Sequence, residues 1–234
     1  DSNTILTPKL LGRHALVDYP LDALVPAIDW MPFFNAWEFS GKFPDILNDP
    51  RKGSEARNLF NDAQAMLKTL IEEKWLRANA VIGCFPAYSE GNTIVILNPN
   101  DPNQILAKTH WLRQQRPMPD GKPQLCLSDF VAPKESGQID YIGAFAVTTG
   151  HGIDSHIKAF EDAHDDYQAI LLKALADRFA ESFAEHLHQR VRTEFWGYAQ
   201  DETLSNDDLI REKYRGIRPA PGYPACPDHL EKET

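Results

Sequence analysis

The residues best suited to chemistry lie together near the C-terminal end, in R-P-A-P-G-Y-P-A-C-P, Arg218 to Pro227. Arg218 brings a planar, forked donor that matches a carboxylate. Tyr223 adds an aromatic ring and a hydroxyl. Gly222, with no side chain, lets a flat ligand approach the backbone closely. Pro219, Pro221, Pro224 and Pro227 fix φ, remove four N–H donors and press their neighbours toward extended conformations. The spacing predicts a stiff, polyproline-like strip whose carbonyls stay open to accept hydrogen bonds.

A ligand that matches this inventory has a carboxylate, a flat heterocycle with an amino donor, and room for a positive charge. S-adenosylmethionine has all three. The match is not unique: P-G-Y-P and P-A-C-P also read as P-x-x-P segments for a protein partner, or as a proline-rich surface loop.

Acidic residues are the natural complement to a cationic ligand. Asp29, in I-D-W before Met31-Pro32, is one candidate, and it also suits the cap of a turn. Asp177 and Glu181 fall one helical turn apart and share a face, where a pairing with Arg178 or Arg190 is the ordinary explanation. Glu212 stands between Arg211 and Lys213 in what reads as a surface charge cluster. Glu161 and His164 form E-x-x-H, the spacing of di-iron bundles, but a second copy is missing. His186 and His188, at i and i+2, point to different helix faces, and the other histidines are scattered. The reading predicts no metal bound by this chain, and no protein nucleophile or general base. The three cysteines, Cys84, Cys126 and Cys226, form no C-x-x-C pair, and their odd number argues for reduced thiols.

The positioning framework must come from the rest of the 234 residues. Hydrophobic residues make up 42% and charged residues 25%, enough apolar material for a sizeable core. The formal net charge of −10 excludes a broad basic face for nucleic acid. No apolar run approaches the ~18 residues that span a bilayer, and the first residues, D-S-N-T-I-L-T-P, do not resemble a signal peptide. A cytoplasmic location is the expectation. Prolines at 26, 32 and 44 break the N-terminal fifty residues into short turns and extended pieces. Trp30, Phe33, Phe34, Trp37 and Phe39 read as core, with a docking surface as the alternative.

Periodicity predicts a helix over 54–77 with Ser54 as N-cap, then a hairpin of 80–85 and 93–97 around S-E-G-N. Candidate strands follow at 125–131 and 139–148. A long helical pattern from about 154 to 195 predicts one helix or two joined at a kink. A short helix over 205–216 opens on a Ser205/Asp208 capping box and stops at Gly216. The whole reads as one α+β unit: an antiparallel sheet with long helices packed on it.

Several stretches carry a closer likeness: D-W-M-P-F-F, D-F-V-A-P, D-Y-I-G-A-F-A-V-T, A-D-R-F-A-E-S-F-A-E, and L-I-R-E-K-Y-R-G-I-R-P-A-P-G-Y-P-A-C-P-D-H. Along essentially its whole length the chain resembles the reactivation domain of cobalamin-dependent methionine synthases, whose signature is an R-x-x-x-G-Y core in that proline setting.

The resemblance implies a C-shaped α+β domain with a bent antiparallel sheet. It also implies a function: binding S-adenosylmethionine and supplying its methyl group for reductive remethylation of cob(II)alamin, which reactivates a methyltransferase of methionine biosynthesis. Cobalamin would be held mainly by a neighbouring domain. The partners implied are that cobalamin-binding domain and a flavodoxin or flavodoxin-type reductase, with no nucleic acid and no membrane. Carried over by position, Arg218 would bind the ligand's carboxylate, and Pro219, Ala220, Pro221, Gly222 and Tyr223 would hold the adenosyl portion. Asp29 would meet the amino group, and Glu181 and Glu212 would be further acids at the site.

Family members continue past the H-x-E-K segment, so residues 1–234 are expected to lack the C-terminal portion, and the isolated fragment is not expected to be active alone. The competing reading is a non-catalytic docking module for the cobalamin domain and a flavodoxin-type reductant. Docking an acidic flavodoxin onto an acidic chain needs a local basic patch, for which Arg113, Arg116, Lys122 and Lys134 are the candidates.

Overall fold

The computed structural model describes residues 5–233. Five strands form one antiparallel sheet: β1 (Gly12–Tyr19), β2 (Arg77–Glu90), β3 (Thr93–Asn98), β4 (Asp101–His110) and β5 (Asp140–His151). The 14-residue β2 is its spine. One edge of β2 carries β1, from Tyr19↔Ala78 to Gly12↔Cys84, and further along carries β3, from Ala87↔Ile96 to Glu90↔Thr93. The other edge pairs with β5 from Arg77↔His151 to Ala87↔Asp140. Side chains alternate across a strand, so Ala78, Ala80, Ile82 and Cys84 all turn to a buried face.

Small side chains on β2 leave room for large ones from the helices. The main core gathers Leu59, Ala63, Met66, Leu67 and Leu70 of α2 (Gly53–Glu72) with Leu171, Leu172, Leu175, Phe179, Phe183 and Leu187 of α4 (Asp166–Arg190). Trp30, Phe33 and Phe34, around α1 (Met31–Ala36), are buried in the same cluster, with Trp37 and Phe39 packed half-buried against it. These aromatics are core, as their density in the sequence suggests. The 3₁₀ turn Asp22–Ala27 packs on α4, and α4 packs on β5. Among the described residues, no helix is long and apolar enough to cross a membrane.

The long helical pattern is two helices. α3 (Ile153–Asp162) ends where His164 takes a positive φ of 57°, and α4 restarts with the Asp165 carboxylate accepting from the Gln168 N–H. A π-turn, Val191–Phe195, extends α4. α5 (Asn206–Ile210) opens on the Ser205/Asp208 capping box that the sequence predicts.

Other expectations are corrected. Ser54 does not cap α2. Asp49 meets the chain at that end, accepting from the N–H groups of Arg51 and Lys52. Residues 127–130 form a 3₁₀ turn and not a strand, because the Asp129 carboxylate folds back onto the Cys126 N–H. Gly216 is not the stop of α5. That helix ends six residues earlier, and Glu212 takes the left-handed conformation at φ 53°. β1 and β4 are strands that the sequence patterns did not single out.

Candidate functional site: an arginine loop fastened to helix α4

The proline-rich segment is a pair of turns, and the expected open strip is corrected accordingly. The Tyr223 N–H donates to the Ala220 carbonyl (3.0 Å), with Pro221 and Gly222 at the centre of that turn and Gly222 at φ +99°. Proline followed by a positive-φ glycine is the signature of a type II turn. The Cys226 N–H donates to the Tyr223 carbonyl and the Gly222 N–H to the Cys226 carbonyl, both at 2.9 Å. The Cys226 thiol donates to the Ala220 carbonyl at 2.9 Å, and burial, which keeps that thiol protonated, pushes its pKa up. Ala220, Tyr223 and Cys226 thus spend their carbonyls inside the loop. Burial of Ala225 and Cys226 draws the loop onto the body of the protein, and Tyr223 stays 57% exposed.

Arg218 stands at the start of this loop. Its Nη2 donates to Glu185 Oε2 of α4 at 2.8 Å, with the arginine side chain 28% and the glutamate 13% exposed. Arg218 Nε and Glu185 Oε1 are both buried without a hydrogen-bond partner. Burial raises the Glu185 pKa, while Arg218 and then Arg192 oppose the shift.

A buried polar cluster underlies the pair. Arg192 donates from Nε and Nη2 to the two oxygens of Glu202, at 2.8 and 2.6 Å. Its Nη1 lies 2.6 Å from His188 Nδ1. A guanidinium can only donate, so Nδ1 is the acceptor and His188 is neutral with its proton on Nε2. Burial, reinforced by Arg192 and Arg218, pushes the His188 pKa down to about 3. The Tyr214 ring meets the Arg192 guanidinium carbon at 4.4 Å and the His188 ring edge-on at 4.8 Å. Burial raises the Tyr214 pKa, and the nearby Arg218 cation pulls it back.

Asp29 lies elsewhere. Its Oδ1 accepts from the Met31 N–H at 3.0 Å, which is the turn-capping role. It also lines a cleft of about 480 Å³ with Pro26, Trp30, Lys42, Asn206 and Arg211. None of residues 218–223 lines that cleft. Asn206 donates to the Ile28 carbonyl (3.3 Å), and its own Oδ1 is buried without a partner.

Helix α4 touches both neighbourhoods, through Glu185 on the Arg218 side and Ser182 on the side of the turn Asp22–Ala27. Glu181 is exposed, one turn before Glu185. Next to it, the Ser182 hydroxyl donates to the Leu24 carbonyl (2.7 Å) and ties the turn that leads to Asp29 onto α4. Glu212 is exposed and close enough to raise the pKa of both Glu185 and Tyr214. The structure thus sets Glu212 near Glu185 and Tyr214, and Asp29 in a cleft whose lining runs to Arg211, next to Glu212 in the chain.

Glu185, Tyr214 and Asn206 escaped the sequence reading. For Glu185 a signal was present: the i, i+4 pair of acids in A-E-S-F-A-E sets two carboxylates on one face. Two members of the expected basic patch are already engaged, since Arg113 pairs with Asp129 and Lys134 with Glu90. Glu161 pairs with Lys173 and not with His164, and no group of three or more His, Cys, Asp or Glu forms a metal site among the described residues.

The described residues thus form an α+β domain with a half-buried arginine on a glycine–proline turn, a cleft lined by Asp29 and Asn206, and no cluster of metal ligands. The family profile of the vitamin B12 dependent methionine synthase activation domain matches residues 20–234, and the chain belongs to that family. It is also similar to a crystal structure of the MetH reactivation domain bound to AdoHcy, at 50% identity and a TM-score of 0.93, covering 99% of this chain and 71% of that one.

Proposed function

We propose that this domain binds S-adenosylmethionine and presents its methyl group for the reductive remethylation of cob(II)alamin, reactivating a cobalamin-dependent methionine synthase. The observation that carries the reading is the Arg218 loop: a guanidinium with an unpartnered Nε–H, set against α4, in a chain half identical to a domain bound to AdoHcy. In this reading Arg218 takes the ligand's carboxylate, and Asp29 its ammonium. Pro219–Tyr223 borders the adenosyl group, and Glu181 and Glu212 supply negative potential for the sulfonium.

Positioning is the main service such a site performs, because a sulfonium is already a good leaving group. The nucleophile would come from a corrin cobalt held by a neighbouring domain, once one electron from the flavodoxin-type reductant has reduced it. This chain's own residues orient the methyl group and transfer no proton. The partners proposed are that neighbouring domain and a flavodoxin-type reductant, in the cytoplasm.

Calorimetric titration of the chain with S-adenosylmethionine, wild type against Arg218→Ala, tests the reading. Removing a charged partner from a half-buried carboxylate costs about 2–4 kcal/mol. Unchanged affinity in the variant removes the Arg218 loop from the site.

A further inference from the structure

We propose that Glu185 is a positioning residue for ligand binding: it holds the Arg218 guanidinium in the orientation that receives the ligand's carboxylate. The inference rests on the reading of Arg218 given above.

Arg218 follows a stretch, residues 215–217, that is exposed throughout. A long arginine side chain at such a place loses much rotamer freedom when it is held in one pose. Two features hold it here. Tyr214, four residues earlier, is buried against Arg192 and His188 and brings the segment to α4. Glu185 then fixes the guanidinium itself, through one hydrogen bond from Nη2.

Arginine–carboxylate pairs frequently close in a fork, with two parallel N–H···O bonds, as Arg192 and Glu202 do. Arg218 and Glu185 share a single contact and leave one donor, Nε, and one acceptor, Oε1, unpartnered and buried. The contact aims the guanidinium without saturating it: the side chain stays 28% exposed and Nη1 has no hydrogen-bond partner among the described residues, so a second carboxylate can share the same cation there.

Two ligands separate positioning from a merely structural role. S-adenosylhomocysteine carries the amino-acid carboxylate, and 5′-methylthioadenosine has the same adenosyl thioether without the amino acid. Both are titrated by calorimetry into wild type, Glu185→Ala and Glu185→Gln. The expected result is that wild type prefers S-adenosylhomocysteine. Glu185→Ala loses tenfold or more of that affinity while methylthioadenosine binding stays within twofold, and Glu185→Gln, which keeps an oxygen for Arg218 Nη2, recovers part of the loss. Equal losses for both ligands in Glu185→Gln, or no loss in Glu185→Ala, overturn the proposal. A wild-type chain that binds both ligands equally overturns the Arg218 reading and this proposal with it. A chain that prefers S-adenosylhomocysteine but ignores Glu185→Ala leaves the reading standing and removes Glu185 alone.

Discussion

Arg192 and Glu202 form a two-bond ion pair sealed from solvent, with the arginine side chain 0% and the glutamate 5% exposed. The pair joins the end of α4 to the segment that leads to α5. It also supplies the cation on which Tyr214 rests.

Breaking this pair from one side strands a charge in a dry interior. Arg192→Met is expected to lower stability by about 3–5 kcal/mol. The double variant Arg192→Met/Glu202→Leu is expected to recover most of that, because it removes both charges. Denaturant unfolding of the three proteins checks this, and a double variant as unstable as the single one contradicts it.

The His188 site predicts a pH dependence. Its folded pKa, pushed down to about 3, lies below the ordinary value of 6.5, so the unfolded chain binds the proton more readily. The contribution is therefore fully present above pH ~6.5 and is lost as pH falls toward ~3, with a slope of about 1.4 kcal/mol per pH unit for this one proton. His188→Gln keeps an acceptor for Arg192 and is expected to flatten that slope between pH 6 and pH 4 in urea titrations at several pH values. An unchanged slope assigns the acid sensitivity to another group.

Gly222→Ala is expected to harm the loop twice. The residue sits at φ +99°, where a side chain is strained, and a Cβ would meet His229 Nε2 at 3.0 Å and Cε1 at 3.1 Å. A loss of about 1–2 kcal/mol is expected, together with weaker S-adenosylmethionine binding. Thermal unfolding and calorimetry measure the two effects. A variant of wild-type stability would mean that His229 and the loop give way at no cost.

Ser182→Ala takes the side-chain donor away from the buried Leu24 carbonyl. The expected cost is about 1–3 kcal/mol, with faster hydrogen exchange in the turn Asp22–Ala27 than in the core of α4. Exchange that quickens uniformly would show that the bond does not tie this turn in particular.

The long elements were legible in the sequence because they bury one continuous face. The apolar period over 154–190 marks α3 and α4, and the S-E-G-N signal marks the β2–β3 hairpin, where Gly91 takes a φ of 60°. β4 was not legible: D-P-N-Q-I-L-A-K-T-H is exposed along nearly all of its length, so no buried face writes a pattern into it, and its pairing with β3 rests on the backbone. β1 keeps one half-buried face and shows only a faint alternation. Residues 125–131 misled because L-C-L alternates like a strand, whereas the Asp129 side chain sets the turn.

At the site, Arg218 announced itself through its proline and glycine setting. The polyproline inference failed because Gly222 reverses the chain there and Cys226 closes the loop with its own hydrogen bonds. Glu185 was hidden because nothing local links it to Arg218, 33 positions away.

The placement of β2 at the centre of the sheet bears on the order in which the protein assembles. β3 and β4 follow it through short turns and can zip up locally. β5 must cross a long intervening chain before Asp140 finds Ala87 and His151 finds Arg77. Loop closure of that length is slow, and pairings between distant segments limit folding rates. The same holds for β1, whose Gly12 meets Cys84 and Tyr19 meets Ala78, so β2 gains two of its three neighbours only through contacts between distant segments.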